Sequence, residues 1–510
     1  ELNLYTRQTD DRGTWYLPTP LNVEGIDANY TQIGPLNRQG TITYGPNDTA
    51  ESFDFGEGRG WDGHVSGGSI KLDLGNDWQL VDRFNLTKGK ANTFGLVPNG
   101  SATTVASVAD NGESATGAVT GTVYDGDTPI QQIGRWVVLK DIEAFTNDLA
   151  VSKSWEDFDT SFGIYSATTK AEDWWSIGNT AYHVLQPGGE LLDGIECNTD
   201  AQGCDWNYDI SSVGDASTFA VYATGTWYAT TDLSIDLGLR RENHEVSYSV
   251  DEGLDGEITK ALEYDETKTS WTVGANYALN DTSGVFVRMN RGYKMPYFDD
   301  FRDNWGAYTG GNDLIKEVTQ GELGYKFMND SIQFFATAFA NEVKGDTFVR
   351  RPGAPAEILT NEAYGLELDG RYSHDSGFSL SVNATIQETE ITASANNEGN
   401  ESQRQPGWQV RVTPSYGFDI GDMYATVYGT LSAVDDRFGN NENTVVLEGY
   451  EKVDVGLTLE PTESLRLQFS VDNLTDEQGI TEGDPRNPDS PNGRYIMPRS
   501  MKLSVSYLFF

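Results

Sequence analysis

Two cysteines, Cys197 and Cys204, bracket the polar stretch IECNTDAQGCDW. Thiols at this spacing close a loop as a disulfide or share a metal ion. No His or second Cys pair lies nearby and CxxC spacing is absent, so the disulfide is favoured, and with it an oxidising compartment. The four histidines, His64, His183, His244 and His374, are scattered, which gives no basis for a His-based metal or catalytic cluster. Asp299, Asp300 and Asp303 in FDDFRDNW could offer oxygen ligands to Ca²⁺. Their spacing is not that of an EF-hand loop, and a chain with 78 acidic residues makes such clusters by chance. No metal or cofactor is assigned. The chain has no G-x-S-x-G, P-loop or zinc-protease motif, so it reads as a non-enzyme, although paired carboxylates of glycosidase type cannot be picked out among so many. The aromatic residues Trp174, Trp175, Trp206, Tyr208, Trp305 and Tyr308 lie in or beside polar, glycine-rich stretches. Such rings stack on sugars or flat aromatic ligands, and they equally suit an outer aromatic girdle or loop self-packing. Tyr293 belongs to RGYKMP, residues 291–296, which reads either as part of a ligand-facing mouth or as a strand end. In the second reading Arg291 and Lys294 snorkel and Pro296 terminates the strand.

The elements that must carry these residues face limits set by composition. The chain has 510 residues, 35 Lys+Arg against 78 Asp+Glu, and a formal charge of -43. A phosphate backbone needs a basic face, so nucleic acid is excluded, and peripheral docking on anionic lipid is disfavoured. With 12 Trp, 25 Tyr and 22 Phe the chain is too aromatic for a disordered one. No apolar run approaches the roughly 18 residues of a membrane helix, and mean hydropathy is -0.49. Neither fact closes the membrane question, because a transmembrane β-barrel alternates lipid-facing and lumen-facing residues. No signal peptide is visible, and Glu1 begins directly on the strand-like run ELNLYTRQT, so the front reads as mature or truncated.

The dominant period is two. Val453, Val455, Leu457 and Leu459 alternate with polar residues, as do Leu465, Leu467, Phe469 and Val471, with EPTES between them. No amphipathic helix of any length is evident. Small Asn/Asp/Gly/Ser clusters punctuate the chain: LGNDW, KSWEDFD, ATTDLS, ALNDTSG, FMNDSI, SHDSGF, DIGDM and EPTES. Long polar stretches lie between them, at 10–60, 93–133, 176–214, 249–263, 297–312, 394–406 and 475–493. The pattern predicts an all-β fold: a transmembrane antiparallel β-barrel with short periplasmic turns and long extracellular loops. Eight tight hairpins and one further strand at each end give about 18 strands. The first strand would run outward, so an even number of strands is expected upstream of Glu1. The terminal run MKLSVSYLFF alternates to the last residue, and is expected to pair with the first strand and meet lipid with its aromatic end.

Several stretches together resemble the barrel of TonB-dependent outer-membrane receptors: FVRMNRGYKMPYFDDF, TQGELGYKF, NEAYGLELDGRY, FSVDNLTDEQG and GRYIMPRSMKLSVSYLFF. Their order and spacing match over at least residues 282–510; RWVVLKDIEAFTNDLAVSKSW and GHVSGGSIKLDLGNDWQ are similar but less specific. The chain departs from the family in placing Phe510 one residue beyond the lipid-facing Phe509. The resemblance implies residues 1–510 as a receptor-like barrel, with a plug domain and first strands expected before residue 1 to complete a barrel of about 22 strands. It implies uptake of a scarce solute, a ferric siderophore, carbohydrate or similar; the loop aromatics and acids lean toward carbohydrate or another organic ligand. Implied partners are outer-membrane lipid and lipopolysaccharide, the TonB complex acting through the plug, a small-molecule or oligosaccharide ligand, and a partner lipoprotein. Two alternatives remain: a passive porin-like channel, and a soluble extracellular all-β carbohydrate-binding protein or hydrolase.

Overall fold

The computed structural model of the chain describes residues 1–110, 112–195, 207–349, 354–484 and 491–509. Cys197, Cys204, Trp206 and Phe510 lie outside the described residues. One 19-stranded sheet dominates. Eighteen of its strands are long: β1 (Leu2–Gly13), β2 (Arg59–Gly75), β3 (Trp78–Pro98), β4 (Pro129–Ser154), β5 (Phe158–Val184) and β6 (Asn207–Tyr228) begin the series. There follow β7 (Leu233–Glu252), β8 (Lys260–Asn280), β9 (Ser283–Lys294), β10 (Lys316–Met328), β11 (Ile332–Phe348) and β12 (Glu357–Ser373). The last six are β13 (Phe378–Ala393), β14 (Trp408–Ile420), β15 (Met423–Val434), β16 (Tyr450–Thr462), β17 (Leu465–Asp472) and β18 (Ser500–Tyr507). Each pairs antiparallel with the next. The nineteenth is the two-residue strand Thr103–Thr104 beside β4.

All eight expected tight turns join consecutive strands on one side of the sheet. At LGNDW both central residues, Asn76 and Asp77, have positive φ (52° and 65°), the twist-matched hairpin geometry that Asn and Asp tolerate best. The other connections are longer. Two of them, 349–356 and 435–449, fall outside the expected loop stretches.

Registers divide the sheet into two faces. Val151, Phe162, Ala223, Leu239 and Trp271 are consecutive cross-strand partners on β4 to β8. Leu323, Ala338, Leu366, Ile386 and Trp408 form a second such row on β10 to β14, and Val427, Leu457, Phe469 and Leu503 a third on β15 to β18. Most of the large side chains in this belt are exposed, Leu503 at 71%. Exposed apolar surface on this scale calls for a nonaqueous neighbour, and a belt following the strand ladder matches a lipid contact. The opposite face is polar: Tyr222 donates to Asp148 at 2.6 Å, and Lys326 to Asn276 at 2.9 Å. Just beyond the belt, on the same outer face, Lys88 pairs with Glu143 at 2.9 Å and Lys170 with Asp215 at 3.0 Å.

The strands on one side run far past the belt. The 26 residues of β4 rise about 86 Å along the strand, whereas a tilted crossing takes about ten residues. Their extensions carry the buried clusters. Ile42 and Phe55 of the loop after β1 pack on Phe94, Leu96, Ile133 and Val137 of β3 and β4.

The expected pairing of the last strand with the first does not occur among the described residues. β1 is paired only with β2, and β18 only with β17. Loops cross the seam at its long-loop end instead. Thr19–Pro20 pairs with Asn492–Tyr495, which pairs with Ile480–Gly483. Leu21 also donates its backbone N–H to Pro491 O at 2.7 Å, and Ala28 donates its own to Gln478 Oε1 at 2.9 Å. The edges of β1 and β18 therefore keep a row of backbone groups without ladder partners.

Candidate ligand-binding site

The connection between β9 and β10 folds as two short helices, α1 (Phe298–Asp303) and α2 (Trp305–Thr309). No helix was expected here, because six and five residues are too few to show a helical period. Local chemistry starts α1: the Asp300 carboxylate accepts the Tyr297 backbone N–H at 3.0 Å. Asp299 and Asp300 in its first turn and Arg302 in its last complement the helix dipole.

The helices lie on the inner face of β5 to β8. Phe298 and Phe301 pack with Ile210, Val246, Tyr248, Leu262 and Tyr264. Phe298 stacks on Tyr248 at 5.8 Å, and Phe301 meets Tyr264 and Tyr308 edge-on, both at 5.2 Å. Gly214 admits this docking: a Cβ there would stand 2.4 Å from the Phe298 ring. His244 anchors the segment before α1. Its Nε2–H donates to Pro296 O at 2.9 Å, since a carbonyl only accepts, which leaves Nδ1 to accept the Thr218 hydroxyl at 2.8 Å.

Charge holds the helices to the wall. The Arg302 side chain is 4% exposed and ion-pairs with Asp299 at 2.8 Å, Asp303 at 2.9 Å and Asp173 of β5 at 3.9 Å. Lys140 of β4 joins the group, 2.9 Å from both Asp173 and Asp299. The Arg302 guanidinium also sits 3.9 Å from the Trp175 ring centroid. Burial pushes the Asp299 carboxyl up, but Arg302 and Lys140 outweigh it and hold it below the usual carboxylate range. Burial lowers Arg302, and Asp299 and Asp303 more than restore it.

Beside the helices lies a cavity of about 550 Å³, lined among others by Tyr208, Glu252, Lys260, Arg302, Asn304 and Trp305. Lys260 Nζ is 5.8 Å from the Trp305 ring centroid and 2.6 Å from Glu252. Two nearby buried atoms, Asn304 Oδ1 and Trp175 Nε1, have no hydrogen-bond partner. Aromatic walls, the ion-paired cations Lys260 and Arg302 with the carboxylates of Glu252 and Asp303, and unpaired polar atoms suit a flat, polar-rimmed ligand.

Four of the expected aromatics thus come together: Trp175, Tyr208, Trp305 and Tyr308. Trp174 faces the other side of β5, where it meets Tyr44 edge-on at 4.9 Å and packs in the cluster of Ile42 and Phe55. Tyr293 stands beside Arg291 and Lys268, at 5.6 and 6.0 Å. Arg291 pairs with Glu317, and Lys294 with Asp300 at 3.3 Å, so RGYKMP is occupied by local ion pairs. The residues that sequence reasoning passed over are Arg302, Lys140, Asp173, Lys260 and His244. Arg302 lies inside FDDFRDNW, and a lone cation among acids was the available signal.

The description of the family whose model matches is "TonB dependent receptor-like, beta-barrel", and the match covers residues 2–474. The chain belongs to that family. Membership makes it a multi-strand outer-membrane β-barrel, with which its outer apolar belt agrees. The pesticin receptor of Yersinia enterocolitica is 25% identical over 321 residues, 59% of this chain and 45% of that protein. The chain thus spans about half the length of the curated relatives it matches. Among solved structures, the siderophore receptor PiuA of Acinetobacter baumannii superposes with a TM-score of 0.66 at 15% identity, over 99% of this chain and 71% of that one. The ferric yersiniabactin uptake receptor FyuA of Yersinia pestis gives 0.60 at 15% identity, over 94% and 81%. At such identity the likeness is one of fold.

Proposed function

We propose that the chain forms the wall and ligand-capturing loops of a TonB-dependent receptor that imports a ferric siderophore-like chelate across the outer membrane. One observation carries the reading: a cavity lined by Tyr208, Trp305, Arg302 and Lys260 sits beside a charge-held helical lid at the long-loop end of a lipid-belted sheet. The names of relatives support the ligand class, since they include receptors for ferric yersiniabactin and ferric preacinetobactin. That weighs against carbohydrate, toward which the loop aromatics alone lean. The barrel performs no covalent chemistry; its work is selective capture and a polar passage.

The unpaired edges of β1 and β18 support further strands between them, because unsatisfied backbone groups are costly in lipid. A plug linked to the inner-membrane TonB complex belongs to the same reading. Lys88, Lys90 and Lys170, exposed just above the apolar belt, suit contact with lipopolysaccharide phosphates. A partner lipoprotein would have to seat on the long loops.

The test is ligand binding to the full-length protein in detergent, followed by tryptophan fluorescence. Ferric chelates should bind far more tightly than their iron-free forms or than oligosaccharides, and Trp305→Leu should weaken that binding roughly tenfold. Tight oligosaccharide binding without ferric-chelate binding would overturn the ligand class. Uptake that persists without TonB would restore the passive channel.

A further inference from the structure

The cavity beside the lid is electrically balanced. Four charged side chains line it, Glu252, Lys260, Arg302 and Asp303, and they form two pairs. Lys260 Nζ lies 2.6 Å from Glu252, and Arg302 donates to both oxygens of Asp303, at 2.9 and 3.0 Å. Neither cation is left over for an anion, and neither carboxylate for a cation. A bound charge would lose its water without gaining an unspent counter-charge. An anion also meets the field of a chain with net charge -43. Apart from two amides, the rest of the wall is apolar or aromatic, with Tyr208, Trp305 and Ile358 its largest side chains.

The two amides, Asn304 and Asn312, are fixed in orientation. Asn304 Nδ2 donates to Asp300 O at 2.8 Å, and Asn312 Nδ2 to Ala307 O at 3.0 Å. Turning either amide over would set its oxygen against a carbonyl oxygen, so the nitrogens stay where they are. What each amide has left is an oxygen, which only accepts. Asn304 is 5% exposed, and its Oδ1 is buried with no donor. A buried acceptor without a donor is costly, and a ligand that supplies one recovers that cost. Asn312 is exposed and within reach of an arriving ligand. The cavity is therefore complementary to a hydrogen-bond donor rather than to a charge.

We propose that the lid cavity selects a neutral aromatic group carrying an O–H or N–H, a phenol or an aryl amide, over an aromatic carboxylate. The ring lies against Trp305 and Tyr208, and the oxygen of Asn304 or Asn312 accepts the donor. A volume of about 550 Å³ accommodates a fused two-ring body. Removing the donor from such a body leaves the amide oxygen stripped of water with nothing in return, so the donorless analogue is rejected more strongly than lost contact area predicts. Assigning this group to an imported chelate rests on the uptake reading; the preference itself rests on the cavity. Together they narrow the ligand to chelates that show the lid a neutral aromatic donor, and away from those that show it carboxylates.

Calorimetry at neutral pH on the full-length protein in detergent tests it with three probes of one ring system: 2-naphthol, 2-methoxynaphthalene and 2-naphthoate. The naphthol should bind saturably at one per chain, and the other two roughly tenfold more weakly. Replacing both amides, Asn304→Leu with Asn312→Leu, should bring the naphthol down to the level of its methyl ether. Because Asn304 also ties α1 to α2, Glu252→Gln provides a variant at a more exposed position that leaves the amides alone. It frees Lys260, and should raise naphthoate affinity roughly tenfold while the naphthol changes little. The proposal is overturned by an absence of saturable naphthol binding in protein that keeps its heat-dependent gel mobility, or by equal affinity for the naphthol and either other probe. It is also overturned by a preference that survives loss of both amides, or by a Glu252→Gln protein that gains nothing for naphthoate. Normal ferric-chelate binding alongside any of these results leaves the uptake reading standing. The naphthol preference in protein that binds no ferric chelate instead removes the uptake reading and leaves the cavity's own preference.

Discussion

His244 and Arg302 fasten the same segment by different means, and their loss should read differently. His244→Leu removes two hydrogen bonds and strands the buried Thr218 hydroxyl and the Pro296 carbonyl, a cost of about 2 kcal/mol. Arg302→Leu leaves Asp173 and Asp299 facing only Lys140, and should cost about 3 kcal/mol in local opening. Amide exchange across residues 296–310 should then speed up roughly a hundredfold for Arg302→Leu, and less for His244→Leu, with β-strand protection unchanged in both. Unchanged exchange in this segment would remove the ion cluster as its fastening. A smaller case is Glu190, whose carboxylate accepts the backbone N–H groups of Val119 and Thr120 at 3.0 and 2.9 Å. Glu190→Ala orphans those donors and should loosen the 114–125 hairpin by about 1–3 kcal/mol, readable as faster exchange there.

The helical lid is the element on which pH should act. The folded-state pKa of Asp299 is depressed by Arg302 and Lys140. Its contribution is therefore fully present above the ordinary carboxylate range and is lost as pH falls below about 4. Protease cleavage between 296 and 315 should rise over that acid interval, and Asp299→Asn should be cleaved readily at neutral pH with the acid step abolished. Much of the sheet at this scale was legible in sequence, because strand period and turn chemistry are local. LGNDW and its seven counterparts each announce a hairpin with their own residues. The lid was not legible: its helices are too short for a period, and Arg302 meets Asp173 across more than a hundred residues of chain. Trp174 and Trp175 were read alike because they are adjacent, yet adjacency in a strand sends them to opposite faces. The seam is not legible for a related reason: whether two edges meet depends on the curvature and number of all the strands, which no single stretch encodes.

For the whole molecule, the two-face register predicts sharply unequal costs for neighbouring residues. Leu366→Lys, on the belt, should destabilise folding into bilayers by about 2–4 kcal/mol. Glu367→Lys, one residue along and on the polar face, should cost less than about 1 kcal/mol. Denaturant titrations of protein folded into lipid vesicles would compare them, and equal costs would contradict the assignment of faces.

Strand length varies around the sheet. β5 has 27 residues and β15, on the far side, has 12, a difference of about 50 Å of strand. The rim is a parapet with one high flank and one low one. Large objects approaching from outside, such as an antibody or another cell's surface, touch the high flank first and are held off the low one. A diffusing solute would have no such restriction and, on the uptake reading, should enter over the low side. The same asymmetry that gives the lid a tall wall to rest against therefore also sorts visitors by size.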